Sequence, residues 1–260
     1  MSRQRVDKFL MEMFPQWSRS RVQDLIQRRQ ISFLMPGHGW QVLDRASLKV
    51  HPEEAKLWQW KTEEDSDFVS RGALKLQGAV ECFNLNVAGG LALDIGLSTG
   101  GFSHFLISQG IKKVLGVDVG RGQLHESLQS HPKLLWADKI NAREPIPTDL
   151  LTSFFVSEDF GFDWIVIDVS FISLEKIIPQ LPALTKKGGQ IIALVKPQFE
   201  LSKQSLNRKG VVRDPSVYPQ VLEKISVAFE QNTLKVINTC ESPIEGENGN
   251  KEFFILAQKH

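Results

Sequence analysis

The chain has 260 residues, 42% apolar and 23% charged, with 31 Lys plus Arg against 30 Asp plus Glu for a formal charge of +1. These values describe an ordinary globular protein and exclude a disordered or uniformly basic one, so any affinity for a polyanion must come from how the charge is distributed. No apolar run reaches the roughly 18 residues of a membrane span, the opening MSRQRVDKFL lacks the apolar centre of a signal peptide, and Cys82 and Cys240 stand outside any paired spacing, so a soluble cytoplasmic protein with two buried, reduced thiols is expected.

Residues 1–60 read as a small α+β domain, followed by a linker to about residue 68. Val6, Phe9, Leu10 and Met13 recur at helical spacing, as do Val22, Leu25 and Ile26, and each set predicts a short amphipathic helix. The first thirty residues carry seven Lys or Arg against three Asp or Glu. Arg3, Arg5, Arg19, Arg21 and Arg28 are therefore expected on an exposed face that contacts phosphates. Residues 31–50 predict short strands around the turn PGHG. The segment 51–68, HPEEAKLWQWKTEEDSDF, is polar and acidic and reads as linker, with Trp58 and Trp60 as packing anchors.

From residue 69 to 260 the pattern changes. Leu76, Ala79, Val80 and Phe83 mark one face of a helix. Apolar strands are predicted at 91–96, 114–118, 134–138, 163–169, 190–196, 234–240 and 252–258, with helical stretches at 101–109, 174–186 and 216–230. Strands alternating with helices predict an α/β domain whose mostly parallel sheet is covered on both faces.

The stretch LALDIGLSTGGFSHFL, Leu91 to Leu106, passes from a buried strand through a glycine turn into a helix. A Walker loop needs Lys and then Ser or Thr after its last glycine, and Phe102 stands there instead. A dinucleotide turn needs G-x-G-x-x-G, whereas here the glycines are Gly96, Gly100 and Gly101, and Asp94 has the wrong sign for a pyrophosphate. A cationic ligand removes the conflict. S-adenosylmethionine carries a sulfonium and an α-ammonium, so Asp94, Gly96, Ser98, Thr99, Gly100, Gly101 and Phe102 are the expected cradle for it. The second strand ends on Asp118, placed to accept ribose hydroxyls, and the third on Asp138, a candidate for the adenine amino group.

Four further residues stand at chemically useful places. Asp168 closes the fourth strand, Lys196 closes the fifth, Lys75 opens a helix, and Glu252 begins the last strand after a loop rich in Gly and Asn. The motifs SRGALKL, DIGLSTGGF, DVGRGQL, DVSFISL, LVKPQFE, GVVRDP and GNKEF occur in this order, and together they resemble the TlyA (haemolysin A) family. RVDKFL…SRSRVQDLI resembles the S4 RNA-binding domain that precedes the FtsJ-like domain in that family. Leu97 stands where the family commonly has alanine.

The resemblance implies a Rossmann-like class I methyltransferase of seven strands behind a small S4-like domain. It implies S-adenosylmethionine-dependent 2′-O-methylation of a ribose, a cytidine in ribosomal RNA, with that RNA or a ribosomal subunit as partner and no metal. Residue by residue, the family's Lys-Asp-Lys-Glu tetrad falls on Lys75, Asp168, Lys196 and Glu252. Lys196, crowded by Lys75, is expected to take or steer the hydroxyl proton while the two acids orient the lysines. Arg71 would extend the RNA surface. The alternatives are a membrane-active haemolysin, as the older family name implies, and action on another RNA such as transfer RNA.

Overall fold

The structure is a computed structural model, and it describes the chain except for residues 1–2, 16, 28, 38, 63–67, 156–159 and 247–248 and the side chains at 20, 21, 24 and 27. The chain divides into two units, residues 1–67 and residues 68–260.

The first unit contains β1 (Gln4–Arg5), α1 (Val6–Met13), α2 (Arg19–Gln27), β2 (Ile31–Leu34), β3 (Trp40–Val42), β4 (Lys49–Val50), α3 (Pro52–Ala55) and β5 (Gln59–Thr62). β1 pairs with β4, and a second antiparallel sheet has the order β3-β2-β5. The apolar stripes of the two helices meet over Ile31 and Phe33, so Val6, Phe9, Leu10, Val22, Leu25 and Ile26 are all buried. The expected linker is a finding against the sequence reading, because its first half folds as α3 and β5. Its two tryptophans decide this. Trp60 lies opposite Phe33 in the β2–β5 register, and its indole N–H donates to the Ala55 carbonyl at 2.9 Å. Trp58 stacks on Phe33 with ring centroids 5.1 Å apart. Both indoles are half-buried against the core of the unit, and this packing anchors the polar stretch as structure.

The second unit contains α4 (Gly72–Cys82), β6 (Leu91–Ile95), α5 (Gly101–Ser108), β7 (Lys113–Val117), α6 (Glu126–Gln129), β8 (Leu134–Ala137), α7 (Thr148–Phe154), β9 (Phe162–Ile167), α8 (Leu181–Leu184), β10 (Thr185–Val195), α9 (Pro197–Glu200), α10 (Tyr218–Gln231), β11 (Leu234–Glu241) and β12 (Phe253–Lys259). Its seven-stranded sheet has the order β11-β12-β10-β9-β6-β7-β8, and only β12 runs antiparallel to its neighbours. Side chains alternate between the faces as the pleat requires. Leu91, Leu93 and Ile95 pack on the face covered by α10 and α8, whereas Ala92 packs on the face covered by α4 and α5. This is the doubly covered parallel sheet that the strand and helix alternation predicts.

Two local expectations are corrected. The run 174–186 is not one helix. It breaks into 3₁₀ turns at Leu174–Lys176 and Ile178–Gln180 followed by the short α8, because Pro179 and Pro182 each remove a donor from the helical ladder. β10 then starts at Thr185 and carries an irregularity before Gln190, where Gly188 takes φ +77. The cysteines are not both buried either. Cys82 is exposed at the end of α4 and Cys240 is half-buried on β11. The Cys240 thiol is pushed up to about 12, chiefly by burial and also by the neighbouring Cys82 thiol.

Candidate active site

Strand register gathers the candidate residues at one edge of the sheet. Ile95 is paired with both Val117 and Ile167, and Val117 with Ala137, so Gly96, Asp118, Asp138 and Asp168 all leave their strands at the same level. Because β12 runs the other way, Phe253 lies opposite Val195, and Glu252 enters the sheet where Lys196 leaves it. In open α/β sheets this carboxyl edge is where ligands bind.

Asp94 is fully buried inside β6. Its Oδ2 accepts hydrogen bonds from the Ser103 N–H at 3.0 Å and the Ser103 hydroxyl at 2.7 Å, at the first turn of α5. Its Oδ1 has no hydrogen-bond partner among the described residues. Asp94 is pushed up to about 7, chiefly by burial, against the opposing hydrogen bonds from Ser103 and with a smaller upward push from the nearby charges of Asp168 and Asp118. Asp118 follows β7, and its two oxygens accept from the Gly120 N–H at 2.6 Å and the Ser98 N–H at 2.8 Å. Ser98 itself takes φ +48, and its hydroxyl contacts Gln123 Oε1 at 3.2 Å. At Gly96, φ is +92, and a Cβ would come within 2.1 Å of the Asp168 carbonyl oxygen, so only glycine fits.

A cavity of about 890 Å³ opens along this edge, with Gly96, Ser98, Asp118, Gln123 and Asp168 in its wall. Phe171 lines it as well, 88% exposed, at φ +64 and with its ring centroid 5.1 Å from that of Phe199.

The four tetrad residues form two ion pairs. Lys75 Nζ lies 2.6 Å from Glu252 Oε2, and the two side chains are 13% and 2% exposed. Lys196 Nζ lies 2.5 Å from Asp168 Oδ1 and donates to the Ser170 hydroxyl at 3.1 Å. The lysines therefore do not crowd each other as unpaired charges, because each has its own carboxylate. Glu252 is held by its loop: Ser242 N–H donates to the Glu252 carbonyl, and Gly246 lies so close that a Cβ there would meet Glu252 Oε1 at 2.0 Å. Asn250 fixes the same loop, donating to the Gly210 carbonyl at 3.1 Å and accepting from the Val212 N–H at 3.2 Å.

Other predicted residues fall differently. Phe102 is a core side chain, 4% exposed and tilted against Phe254, because the first turn of α5 points it into the sheet. Gly100 and Gly101 are buried, and a Cβ on either would strike Leu128 or the Ser70 hydroxyl, so they serve packing. Thr99 gives its carbonyl to the His125 N–H at 3.3 Å. Asp138 accepts from the Gly122 N–H at 2.6 Å and so shapes the turn beside Asp118. Arg5 is tied to the buried Asp7 at 2.8 Å, and Arg3 donates to His51 Nε2 at 2.9 Å. Arg19 is exposed on the first turn of α2, Arg71 is half-buried just before α4, and the Arg21 side chain and Arg28 lie outside the described residues. Sequence reasoning missed Ser103, Ser170 and Gly246. Only Ser103 left a signal, since a carboxylate buried in a strand needs a donor from the helix that follows.

A buried carboxyl with an uncommitted oxygen, a second carboxylate at the next strand end and a glycine held open beside both fit a cationic nucleoside ligand such as S-adenosylmethionine. The sheet order and this edge define the class: a Rossmann-like methyltransferase that uses S-adenosylmethionine. The chain belongs to the FtsJ-like methyltransferase family, which residues 68–259 match. It is 37% identical over 216 residues to the 16S/23S rRNA (cytidine-2′-O)-methyltransferase TlyA of Mycobacterium tuberculosis, covering 82% of this chain and 73% of that protein. It is 38% identical over 198 residues to the 23S rRNA (cytidine-2′-O)-methyltransferase TlyA of Campylobacter jejuni, covering 74% of this chain and 72% of that one. A solved structure from Streptococcus thermophilus, named a hemolysin, superposes with a TM-score of 0.72 at 32% identity over 100% of this chain and 89% of that one.

Proposed function

We propose that this protein methylates the 2′-hydroxyl of a cytidine ribose in ribosomal RNA. The observation that carries the reading is the two lysine–carboxylate pairs, Lys75–Glu252 and Lys196–Asp168, set at the sheet edge that also holds Asp94 and Asp118. S-adenosylmethionine, when bound, supplies a methyl group made electrophilic by its sulfonium. Asp94 and Asp118 supply the negative field that a cationic ligand requires. A ribose hydroxyl is a poor nucleophile until its proton is leaving, and Lys196, held by Asp168 and Ser170, is placed to steer that proton. Lys75 and Glu252 keep the second charge pair balanced beside it. Phe171 offers an exposed ring on which a base can stack, and Arg143, Lys176 and Lys203, all in the cavity wall, offer cations to the flanking phosphates. The first unit, read as S4-like, supplies further phosphate contacts.

The test is methyl transfer to ribosomal subunits from a strain lacking this protein, followed by mapping of 2′-O-methyl positions. A new 2′-O-methylcytidine is expected. The Lys196→Ala variant should lose on the order of 10²–10⁴ in rate while still binding the cofactor. Methylation only of transfer RNA, only on a base, or at wild-type rate by Lys196→Ala would overturn the reading. Several of the proteins this chain resembles carry the name hemolysin. Among the described residues no helix is long and apolar enough to cross a membrane. Leakage of dye-loaded vesicles by the pure protein tests that alternative.

A further inference from the structure

Among the described residues not already given roles, Glu200 stands out as a carboxylate whose side chain is only 1% exposed. It closes α9, the helical turn that starts immediately after Lys196. Its Oε2 accepts from the Ser173 hydroxyl at 2.5 Å, and its Oε1 accepts from the Leu174 N–H at 2.9 Å. Lys224 of α10 approaches to 4.0 Å and is also paired with Glu175. Burial raises Glu200 from the ordinary carboxylate range, and the Ser173 and Leu174 bonds work against that shift.

The partners matter because of what lies between them. Ser173 and Leu174 end the loop that begins at Asp168 and carries Ser170 and Phe171. Lys196 grips the start of that loop through Asp168 and Ser170. Phe199 meets its middle through Phe171. Glu200 grips its end. Segments 168–174 and 196–200 are thus joined at three successive points. The loop cannot be indifferent to losing one, because Phe171 holds a left-handed φ of +64 that a bulky residue adopts only when its surroundings enforce it.

We propose that Glu200 is a positioning residue for methyl transfer: by binding Ser173 and Leu174 it holds the Asp168–Phe171 loop in the geometry in which Asp168 and Ser170 meet Lys196. The role rests on the methyltransferase reading above but makes a separate structural claim. Glutamine can replace the clasp, since its amide oxygen still accepts from Leu174 N–H and its amide nitrogen can donate to the Ser173 hydroxyl, with the direction of that bond reversed. Alanine cannot.

The experiment compares wild type, Glu200→Gln, Glu200→Ala and Ser173→Ala in the full chain. In Glu200→Ala, kcat for ribosomal RNA should fall on the order of 10–100-fold, as expected for a misplacement of about 1 Å, while KM for S-adenosylmethionine stays within about twofold. Glu200→Gln should recover kcat to within about threefold of wild type, and Ser173→Ala, which removes only one of the two bonds, should fall between. Backbone hydrogen exchange should rise across residues 168–174 in the alanine variant and not in the glutamine variant. Ser173→Ala serves the same comparison should Glu200→Ala fail to fold. Unchanged exchange across that loop, wild-type kcat in Glu200→Ala, or a kcat loss that glutamine does not restore would each overturn the clasp. A wild-type protein inactive on ribosomal RNA would refute the proposed substrate, and the exchange comparison would still decide the role of Glu200.

Discussion

Asp94 is a fully buried carboxyl group, with one oxygen bonded to Ser103 and the other without a partner among the described residues. Its consequence for stability has a definite sign. Burial raises Asp94 to about 7 in the folded chain, above its ordinary value of 3.8. Between those values the folded state holds a proton that the unfolded state has released, so stability falls as pH rises through the window and is level above it. The loss attributable to this group is on the order of 4 kcal/mol at most. Chemical denaturation from pH 4 to pH 8 should therefore find a decline in wild type that is much reduced in Asp94→Asn. A bound cation favours the ionised carboxyl, so affinity for S-adenosylmethionine should climb with pH towards about 7 and then level off. Calorimetry across that range should find protons released on binding in wild type and not in Asp94→Asn. A pH-independent affinity in wild type would separate Asp94 from the cofactor. At this scale the sequence was informative where a residue's place on its strand carries its meaning: Asp94, Asp118, Asp168 and Lys196 end or nearly end strands. It was silent where meaning comes through space. Gly246 matters because Glu252 lies against it, and Leu97, where the resembling family commonly has alanine, is seated over the bare Cα of Gly116.

At the scale of elements, the loop that follows β9 trades stability for presentation. Phe171 sits at φ +64 and is 88% exposed, so it gains little from burial and bears a backbone cost of roughly 1–2 kcal/mol. Glycine carries no such cost there. Phe171→Gly relieves that cost but gives up the join to Phe199 and adds freedom to the unfolded chain, so its stability should stay within about 1 kcal/mol of wild type. It should nevertheless bind ribosomal RNA more weakly, by about 1–3 kcal/mol if one base stacks on the ring, with cofactor affinity unchanged. Thermal melting together with RNA binding checks both halves. A variant that melted higher and bound RNA as wild type does would leave the strained ring without a purpose. Elements were legible in proportion to how locally they are determined. The strands β6, β7 and β9 announced themselves as apolar runs, because a parallel sheet buries both faces of each strand. β5 did not, because its strand character depends on Trp60 finding Phe33 across the sheet, and a polar composition hides that pairing. The broken helix after Leu174 is hidden by its apolar spacing, although Pro179 and Pro182 mark where a helix cannot continue.

For the whole molecule, a formal charge of +1 conceals segregation: seven Lys or Arg against three Asp or Glu lie in the first thirty residues, and an acidic stretch offsets them before residue 68. The first unit has its own core, built on Val6, Phe9, Leu10, Val22, Leu25 and Ile26, and the second has its own two on the faces of the sheet. The family match likewise begins at residue 68. Removing residues 1–67 should therefore leave a folded methyltransferase unit that binds S-adenosylmethionine as the full chain does, since Asp94, Asp118 and the cavity all belong to it. What it should lose is grip on RNA. Each phosphate contact surrendered lowers the slope of log affinity against log salt by roughly 0.7–0.9, so the truncated chain should bind more weakly at low salt and depend on salt less. Arg5 adds little to that slope, because Asp7 already claims it, whereas the exposed Arg19 adds more. Arg19→Ala in the full chain should reproduce part of the change, and Arg5→Ala should instead lower stability by taking from the buried Asp7 its paired cation, with only the Lys8 N–H and the Gln23 amide left to donate to it. Filter binding of ribosomal RNA over a salt series, beside calorimetry with the cofactor, separates the two units. A truncated chain with undiminished RNA affinity would place recognition wholly on the sheet edge, and one that no longer bound the cofactor would show that the two units are not independent.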